Sequence, residues 1–246
     1  MPRLYVPPDA MGQEAIVLSG EDHRYVCRVL RLEEGDEIVL FDGKGAEADA
    51  VLGRAGPRAV EVRVMARRQS PHGEAPSVTL LMGLPKGDRM EIVVQKATEL
   101  GVAQLVPMLT DRTVLRLDEV RSTLRRQRWQ KIAREAARQC GRADVPDVSP
   151  VLTLEAALEG VPREALKLFF WEEPPRRGLR EHLANVERPR QIVLAVGPEG
   201  GFTYREVERA RERGFAVVGL GPRILRTETA AIAALAMTGF ALGDLG

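Results

Sequence analysis

The segment QIVLAVGPEGGFTYREVERARER, residues 191–213, decides the fold class. Gln191–Val196 is an apolar run of strand length, and Gly197-Pro198-Glu199-Gly200-Gly201 breaks it. Thr203 followed by Glu206 is a capping box, which opens a helix expected to run from Thr203 to Arg213. Strand, glycine-rich turn and capped helix in direct succession form the repeating unit of a mostly parallel α/β sheet.

Working outward, the same alternation continues on both sides. Ser77–Leu84 is uninterrupted apolar sequence, as a parallel strand covered on both faces would be. Asp88 with Glu91 predicts a second capping box, after which Met90, Val93, Ala97 and Leu100 share one helical face and Gly101 ends the helix. Gln104–Met108, Ala165–Trp171 and Ala216–Leu220 are further strands, and Leu117–Gln139 and Glu228–Ala241 further helices. An α/β domain over residues 77–246 is the expectation. Upstream the pattern differs. Glu37–Phe41, Glu47–Leu52 and Ala59–Val64 are short β-like runs separated by glycine-bearing turns, which predicts a small β-barrel over residues 1–70. The polar stretch RQSPHGEAP, residues 68–76, reads as the linker.

Composition excludes several classes. With 246 residues, 44% of them hydrophobic, the chain can bury a sizeable core and is not intrinsically disordered. Lys and Arg number 36 against 35 Asp and Glu, so any nucleic-acid surface must be a local patch. No run reaches the ~18 apolar residues of a membrane span, and MPRLYVPPDA has no hydrophobic signal core. Cys27 and Cys140 alone make neither a disulfide framework nor a cysteine zinc site, which fits a cytoplasmic protein without membrane or metal.

The common catalytic signatures are absent: no G-x-x-x-x-G-K-[ST], no H-E-x-x-H and no G-x-S-x-G. Gly219-Leu220-Gly221 lacks the third glycine of a dinucleotide fingerprint. Chemistry-bearing residues gather instead at three strand-to-loop junctions. They are Leu168-Phe169-Phe170-Trp171-Glu172-Glu173, Gly197–Phe202, and the run Leu220-Gly221-Pro222-Arg223-Ile224-Leu225-Arg226-Thr227-Glu228-Thr229-Ala230. In open α/β sheets ligands collect at the carboxyl ends of strands, where all three would lie. Glycine at 197, 200, 201 and 221 lets backbone approach a flat ligand, and Leu220, Ile224 and Leu225 offer an apolar slot suited to adenine. Taken alone, GPEGG is equally what a tight βα turn looks like. The Ala-rich helix that follows Arg226 is apolar nearly all round, so it is core or a subunit interface.

At these residues the sequence resembles the 16S rRNA uridine-N3 methyltransferases of the SPOUT superfamily. The motifs are VLR (29–31), GD (35–36) and FDG (41–43), then KGDRMEIVVQKATELGV (86–102), RWQKIAREAARQCGR (128–142), GPEGGF and LGPRILRTETA. The resemblance implies a PUA-like RNA-binding barrel at the N-terminus and a C-terminal α/β domain closed by a trefoil knot. It also implies a homodimer, with S-adenosylmethionine held by the three loops. The cofactor-binding residues would then be Phe170, Trp171, Glu172, Gly197, Pro198, Glu199, Gly200, Gly201, Leu220, Gly221, Ile224, Leu225, Thr229 and Ala230. The implied substrate is one uridine of 16S rRNA in the small ribosomal subunit.

Between Asp111 and Arg142 ten basic residues face four acidic ones, a strong local asymmetry in a nearly neutral chain. A solvated helix face would carry charge of both signs; the excess of one sign favours phosphate contact. His23, Arg24, Arg28 and Arg31, with Lys86, Arg89, Arg134, Arg138 and Arg142, are the expected RNA contacts. Uridine N3 must lose its proton before its lone pair can attack. Arg226 is therefore the candidate for steadying charge on the uracil oxygens, and Glu199 or Glu228 for accepting the proton. Two other readings share these features: a non-catalytic RNA-binding ribosome-assembly factor, and a SPOUT enzyme that modifies another base or a ribose.

Overall fold

Alternating burial organises the N-terminal strands. The computed structural model describes residues 1–70, 76–114, 118–174, 177–184, 186–187, 189–243 and 245. Its contacts divide the chain into two compact units, Met1–Gly73 with Ala137–Val145, and Glu74–Ala136 with Pro146–Gly246.

In the first unit β1 (Arg3–Tyr5) is followed by β2 (Ala15–Ser19), α1 (Gly20–Arg24) and a π-helical turn, Tyr25–Val29. Then come β3 (Glu37–Phe41), β4 (Ala46–Ala55) and β5 (Ala59–Gln69). They form a five-stranded half-barrel sheet in the order β1-β3-β4-β5-β2. Ile16 and Leu18 of β2 point inward, as do Val60 and Val62 of β5, onto Leu4, Val26, Ile38, Leu40 and Leu52. Bulges at Asp49/Ala50 and Leu52/Ala55 disturb the register of the long β4–β5 hairpin. The three central strands match the sequence reading. β1 and β2 were not foreseen, because one is only three residues long and both lie beside proline- or glycine-bearing turns. Arg68 and Gln69, expected in the linker, instead close β5, where Arg68 pairs with Glu47 and Asp49. Of the remaining linker, residues 71–75 lie outside the described residues.

The second unit carries the α/β pattern. Its first half holds β6 (Ser77–Gly83), α2 (Arg89–Glu99), β7 (Gln104–Leu109), α3 (Glu119–Cys140), β8 (Asp147–Val148), β9 (Leu152–Thr153) and α4 (Leu154–Glu159). The last turn of α3, from Ala137, groups with the first unit. The second half holds β10 (Leu166–Phe170), β11 (Arg177–Gly178), α5 (Leu179–Leu183), β12 (Gln191–Val196), α6 (Tyr204–Glu212), β13 (Ala216–Gly219) and α7 (Thr227–Ala241). The sheet order is β11-β13-β10-β12-β6-β7-β8, with β9 also pairing β7, and every one of these pairings is parallel. Helices cover the sheet, so β12 is buried from Ile192 to Val196, which is why its sequence runs apolar without alternation. Phe169 of β10 stacks on Phe202 at 4.1 Å between centroids, and Val207, Ala210 and Phe215 complete that core.

The two capping boxes part company. At α6 the box forms: Thr203 Oγ1 accepts the Glu206 N–H, and Glu206 Oε2 accepts the Thr203 N–H at 2.7 Å. At α2 it does not. Asp88 makes no side-chain cap, and Glu91, the other half of the box, pairs with Arg128 of α3 at 2.7 Å. The expected start of the long helix, Leu117, lies outside the described residues, and the helix is seen from Glu119.

Candidate active site

All strands of the second sheet point the same way, so their carboxyl ends share one edge. Register keeps three of them level: Phe170 lies beside Val196 on one side and Val218 on the other. The loops leaving β10, β12 and β13 therefore meet, and they enclose a cavity of about 410 Å³. That volume lies in the range of small-molecule sites.

Backbone forms much of its wall. Gly83, at the end of β6, lies so close beneath the second loop that a Cβ there would stand 2.5 Å from Pro198 Cδ and 2.6 Å from Pro198 N. Gly201 has φ +66°, and a Cβ on it would come 2.1 Å from Glu172 Oε1. Thr227, the first residue of α7, donates through a buried Oγ1 to the Gly197 carbonyl at 2.5 Å, tying the third loop to the second. The loop after β7 braces the arrangement from outside. Arg112 donates to the Gly200 carbonyl at 2.7 Å, and the Asp111 N–H donates to Glu206 Oε1 at 2.8 Å.

The charged groups are arranged unequally. Glu199 accepts the Lys86 N–H at 2.9 Å and the Arg89 guanidinium. Burial pushes the Glu199 carboxyl up. Its own backbone N–H, that of Lys86 and the Arg89 guanidinium together outweigh burial and hold it below the usual carboxylate range. Arg89 Nε also stands 3.8 Å from Glu228 Oε2, yet that oxygen is buried and has no hydrogen-bond partner among the described residues. Trp171 Nε1 is the second such atom on the cavity wall. Buried donors and acceptors are almost always paired, so two orphans on residues that line one cavity support its reading as a ligand site. Arg226, the N-cap of α7, is exposed and makes no cap of its own.

Comparison with known proteins agrees with this geometry. Residues 73–239 match the model of the RNA methyltransferase domain, and residues 18–65 match the RNA methyltransferase PUA domain. Ribosomal RNA small subunit methyltransferase E of Bacillus subtilis is 35% identical over 222 residues, covering 89% of this chain and 87% of that protein. The protein of that name from Synechocystis is 37% identical, covering 95% and 76%. The chain belongs to the ribosomal RNA small subunit methyltransferase E family. Among solved structures, the Neisseria gonorrhoeae family member bound to S-adenosyl methionine superposes with a TM-score of 0.85 at 35% identity, over 98% of this chain and 97% of that one. A Legionella pneumophila methyltransferase in complex with the same cofactor gives 0.87 at 33%, over 97% of each chain.

Most of the cofactor residues expected for this methyltransferase E family member line the cavity, with Gly200 and Thr229 as the exceptions. Gly200 faces Arg112 instead, and Thr229 is exposed. The sequence reading missed Gly83, whose importance lies in a contact across the sheet. It also missed Arg89 as a cavity residue and Trp171 Nε1 as an unpaired donor.

The expected RNA contacts divide. Arg24, Arg28 and Arg31 are exposed, and Arg31 has φ +56°, rare outside glycine. Lys86 is exposed, and Arg134 is half-buried. His23, by contrast, is buried with Nε2 3.1 Å from the Gly56 carbonyl, a packing role. Arg138 lies 4.5 Å above the Tyr25 ring and donates to its hydroxyl. Arg142 is only 12% exposed and pairs with Asp144, while Arg89 is taken up by Glu199. All four are engaged within the chain, which sequence does not show, since it reveals charge but not the groups that compensate it. Among the described residues no helix is long and apolar enough to cross a membrane, and no group of three His, Cys, Asp or Glu side chains is placed to hold a metal ion.

Proposed function

We propose that this chain is an S-adenosylmethionine-dependent methyltransferase that modifies N3 of one uridine in 16S rRNA. The observation that carries the reading is the cavity itself, with its glycine wall and its unpaired Trp171 Nε1. An adenosyl group needs a flat slot with backbone within reach and an apolar face. Gly197, Gly201 and Gly221 supply the first, and Leu220, Ile224 and Leu225 the second. Trp171 Nε1 has no hydrogen-bond partner among the described residues. The residues fit the group. When bound, that cofactor supplies a methyl group carried on a positive sulfonium.

The protein's own task is to make uridine N3 nucleophilic. Charge builds on the uracil carbonyl oxygens as N3 loses its proton, and the planar, permanently charged guanidinium of Arg226 at the cavity rim is suited to steady it. Either Glu199 or Glu228, both on the cavity wall, receives the proton.

The PUA-like domain, residues 1–70, is proposed to bind RNA through Arg24, Arg28 and Arg31, and the methyltransferase domain, residues 77–246, to bind through the basic side of α3. Within that second domain the third loop threads a trefoil knot, and two chains form a homodimer in the cytoplasm. Exposed Phe240 and Met237 of α7 and Ile92 of α2, an apolar set on two helices in contact, support the subunit interface. Mass mapping of 16S rRNA from a strain lacking the protein tests the function, with loss of one methylated uridine as the expected result. Calorimetry with S-adenosylmethionine tests the site. An unchanged modification pattern or no cofactor binding would overturn the reading.

A further inference from the structure

Two carboxylates face the cavity, and their surroundings assign them different work. We infer that Glu228 is the base that takes the uridine N3 proton, while Glu199 is a positioning residue locked by Arg89. The inference rests on uridine N3 as the methylated atom.

Glu199 is already occupied. Its Oε1 accepts from the Lys86 backbone and from Arg89, and both partners lie in the segment leading from β6 into α2. Taking a proton would weaken both contacts. What these bonds do is fasten the 197–201 loop to the end of β6, beneath which Gly83 already leaves room for Pro198.

Glu228 is the opposite case. Its side chain lines the cavity and is 15% exposed, and its buried Oε2 accepts no hydrogen bond among the described residues, so the carboxylate has accepting capacity to spare. Leaving a buried carboxylate oxygen unpaired is costly, and the neighbouring Arg89 is engaged by Glu199 instead. Arg89 Nε stops 3.8 Å short, too far for a hydrogen bond that would consume the lone pair. The other charged groups lining the cavity are Arg89 from α2, Glu172 after β10, Glu199 after β12, and Arg223 and Arg226 after β13. Three cations against three carboxylates, Glu228 included, leave the wall balanced.

The step closes on these atoms. The N3–H bond breaks and its proton passes to the Glu228 carboxylate. The N3 electron pair forms the new N–CH3 bond as the S–CH3 bond breaks, its electrons remaining on sulfur as a neutral thioether. Glu228 then returns the proton to solvent.

The test uses the full chain with small ribosomal subunits in single-turnover assays from pH 6 to 10, alongside calorimetric affinity for S-adenosylmethionine. Glu228→Gln should bind cofactor within about twofold of wild type and methylate about 10²–10⁴-fold more slowly. Its residual rate should climb about tenfold per pH unit, because only the pre-formed N3 anion can then react. Glu228→Asp should keep the wild-type profile at a reduced rate. Glu199→Gln should weaken cofactor binding and leave the profile's shape unchanged. Two results overturn the assignment: Glu228→Gln retaining the wild-type pH profile, or Glu228→Gln losing cofactor affinity with turnover restored at saturation. A wild-type product methylated away from N3 overturns the underlying reading instead, and product mapping detects it independently of every variant.

Discussion

Replacing Gly83 by alanine is the sharpest probe of the cavity's construction. Its Cβ would stand 2.5 Å from Pro198 Cδ, 2.6 Å from Pro198 N and 2.9 Å from the Gly197 carbonyl carbon. Ordinary carbon contacts need about 3.5 Å or more, so the second loop must retreat by roughly 1 Å. None of these atoms is the end of a flexible side chain. The loop is also pinned from the other side by the Thr227–Gly197 bond. Overpacking of this kind costs about 1–3 kcal/mol, which for a chain of this length lowers Tm by about 2–12 °C. The functional effect should be larger, since a misplacement of about 1 Å in a positioned site can cost about 10²-fold. Gly178→Ala is the control, because a Cβ there meets nothing within 4 Å and its φ is −68°. Calorimetry with S-adenosylmethionine and thermal unfolding of both variants decide the matter. If Gly83→Ala binds within twofold of wild type and melts with Gly178→Ala, the close approach of β6 to the 197–201 loop is not what shapes the cavity.

Other substitutions probe single links. Gly201→Val forces a β-branched residue into φ +66° and displaces the Glu172 carboxylate, so cofactor binding should be lost while far-UV circular dichroism stays native. Arg226→Lys should leave cofactor affinity near normal and lower single-turnover methylation about 10²–10³-fold; a full rate at saturating RNA would remove its catalytic role. Replacing Arg24, Arg28 and Arg31 together by alanine should weaken binding to small-subunit RNA and flatten its salt dependence, which a filter-binding series at several salt concentrations measures. The carboxyl of Glu199 is held below its ordinary value, so its contribution to stability is present above that value and lost as pH falls through the folded one. Wild type should accordingly be more stable than Glu199→Gln at pH 6, and the difference should shrink as pH falls below the ordinary carboxylate range in chemical denaturation.

Much of the architecture was legible because local rules and tertiary packing agreed. The run 191–213 declared a strand, a turn and a capped helix, and all three are present with Thr203 and Glu206 capping as spelled. Apolar runs without alternation declared a sheet buried on both faces, since no other setting tolerates them. Glycine at 197, 201 and 221 together with the arginines and carboxylate of residues 223–228 marked the site, because such groups have no structural reason to crowd one strand end.

What remained hidden depended on who meets whom. Asp88 and Glu91 spell a capping box as well as Thr203 and Glu206 do, yet Arg128, 37 residues on, captures Glu91. His23, Arg138 and Arg142 have the side chains of an RNA surface, but Gly56, Tyr25 and Asp144 absorb them. Gly83 is an unremarkable strand end until Pro198 is brought against it. Nothing in the one-dimensional pattern separates Glu199 from Glu228; their difference is the 110 residues of chain that fold back to set Arg89 on one and just out of reach of the other. Periodicity, capping and turn chemistry act between neighbours in sequence and can be read along it. Charge compensation and close backbone approach act between neighbours in space, and only the folded chain decides those.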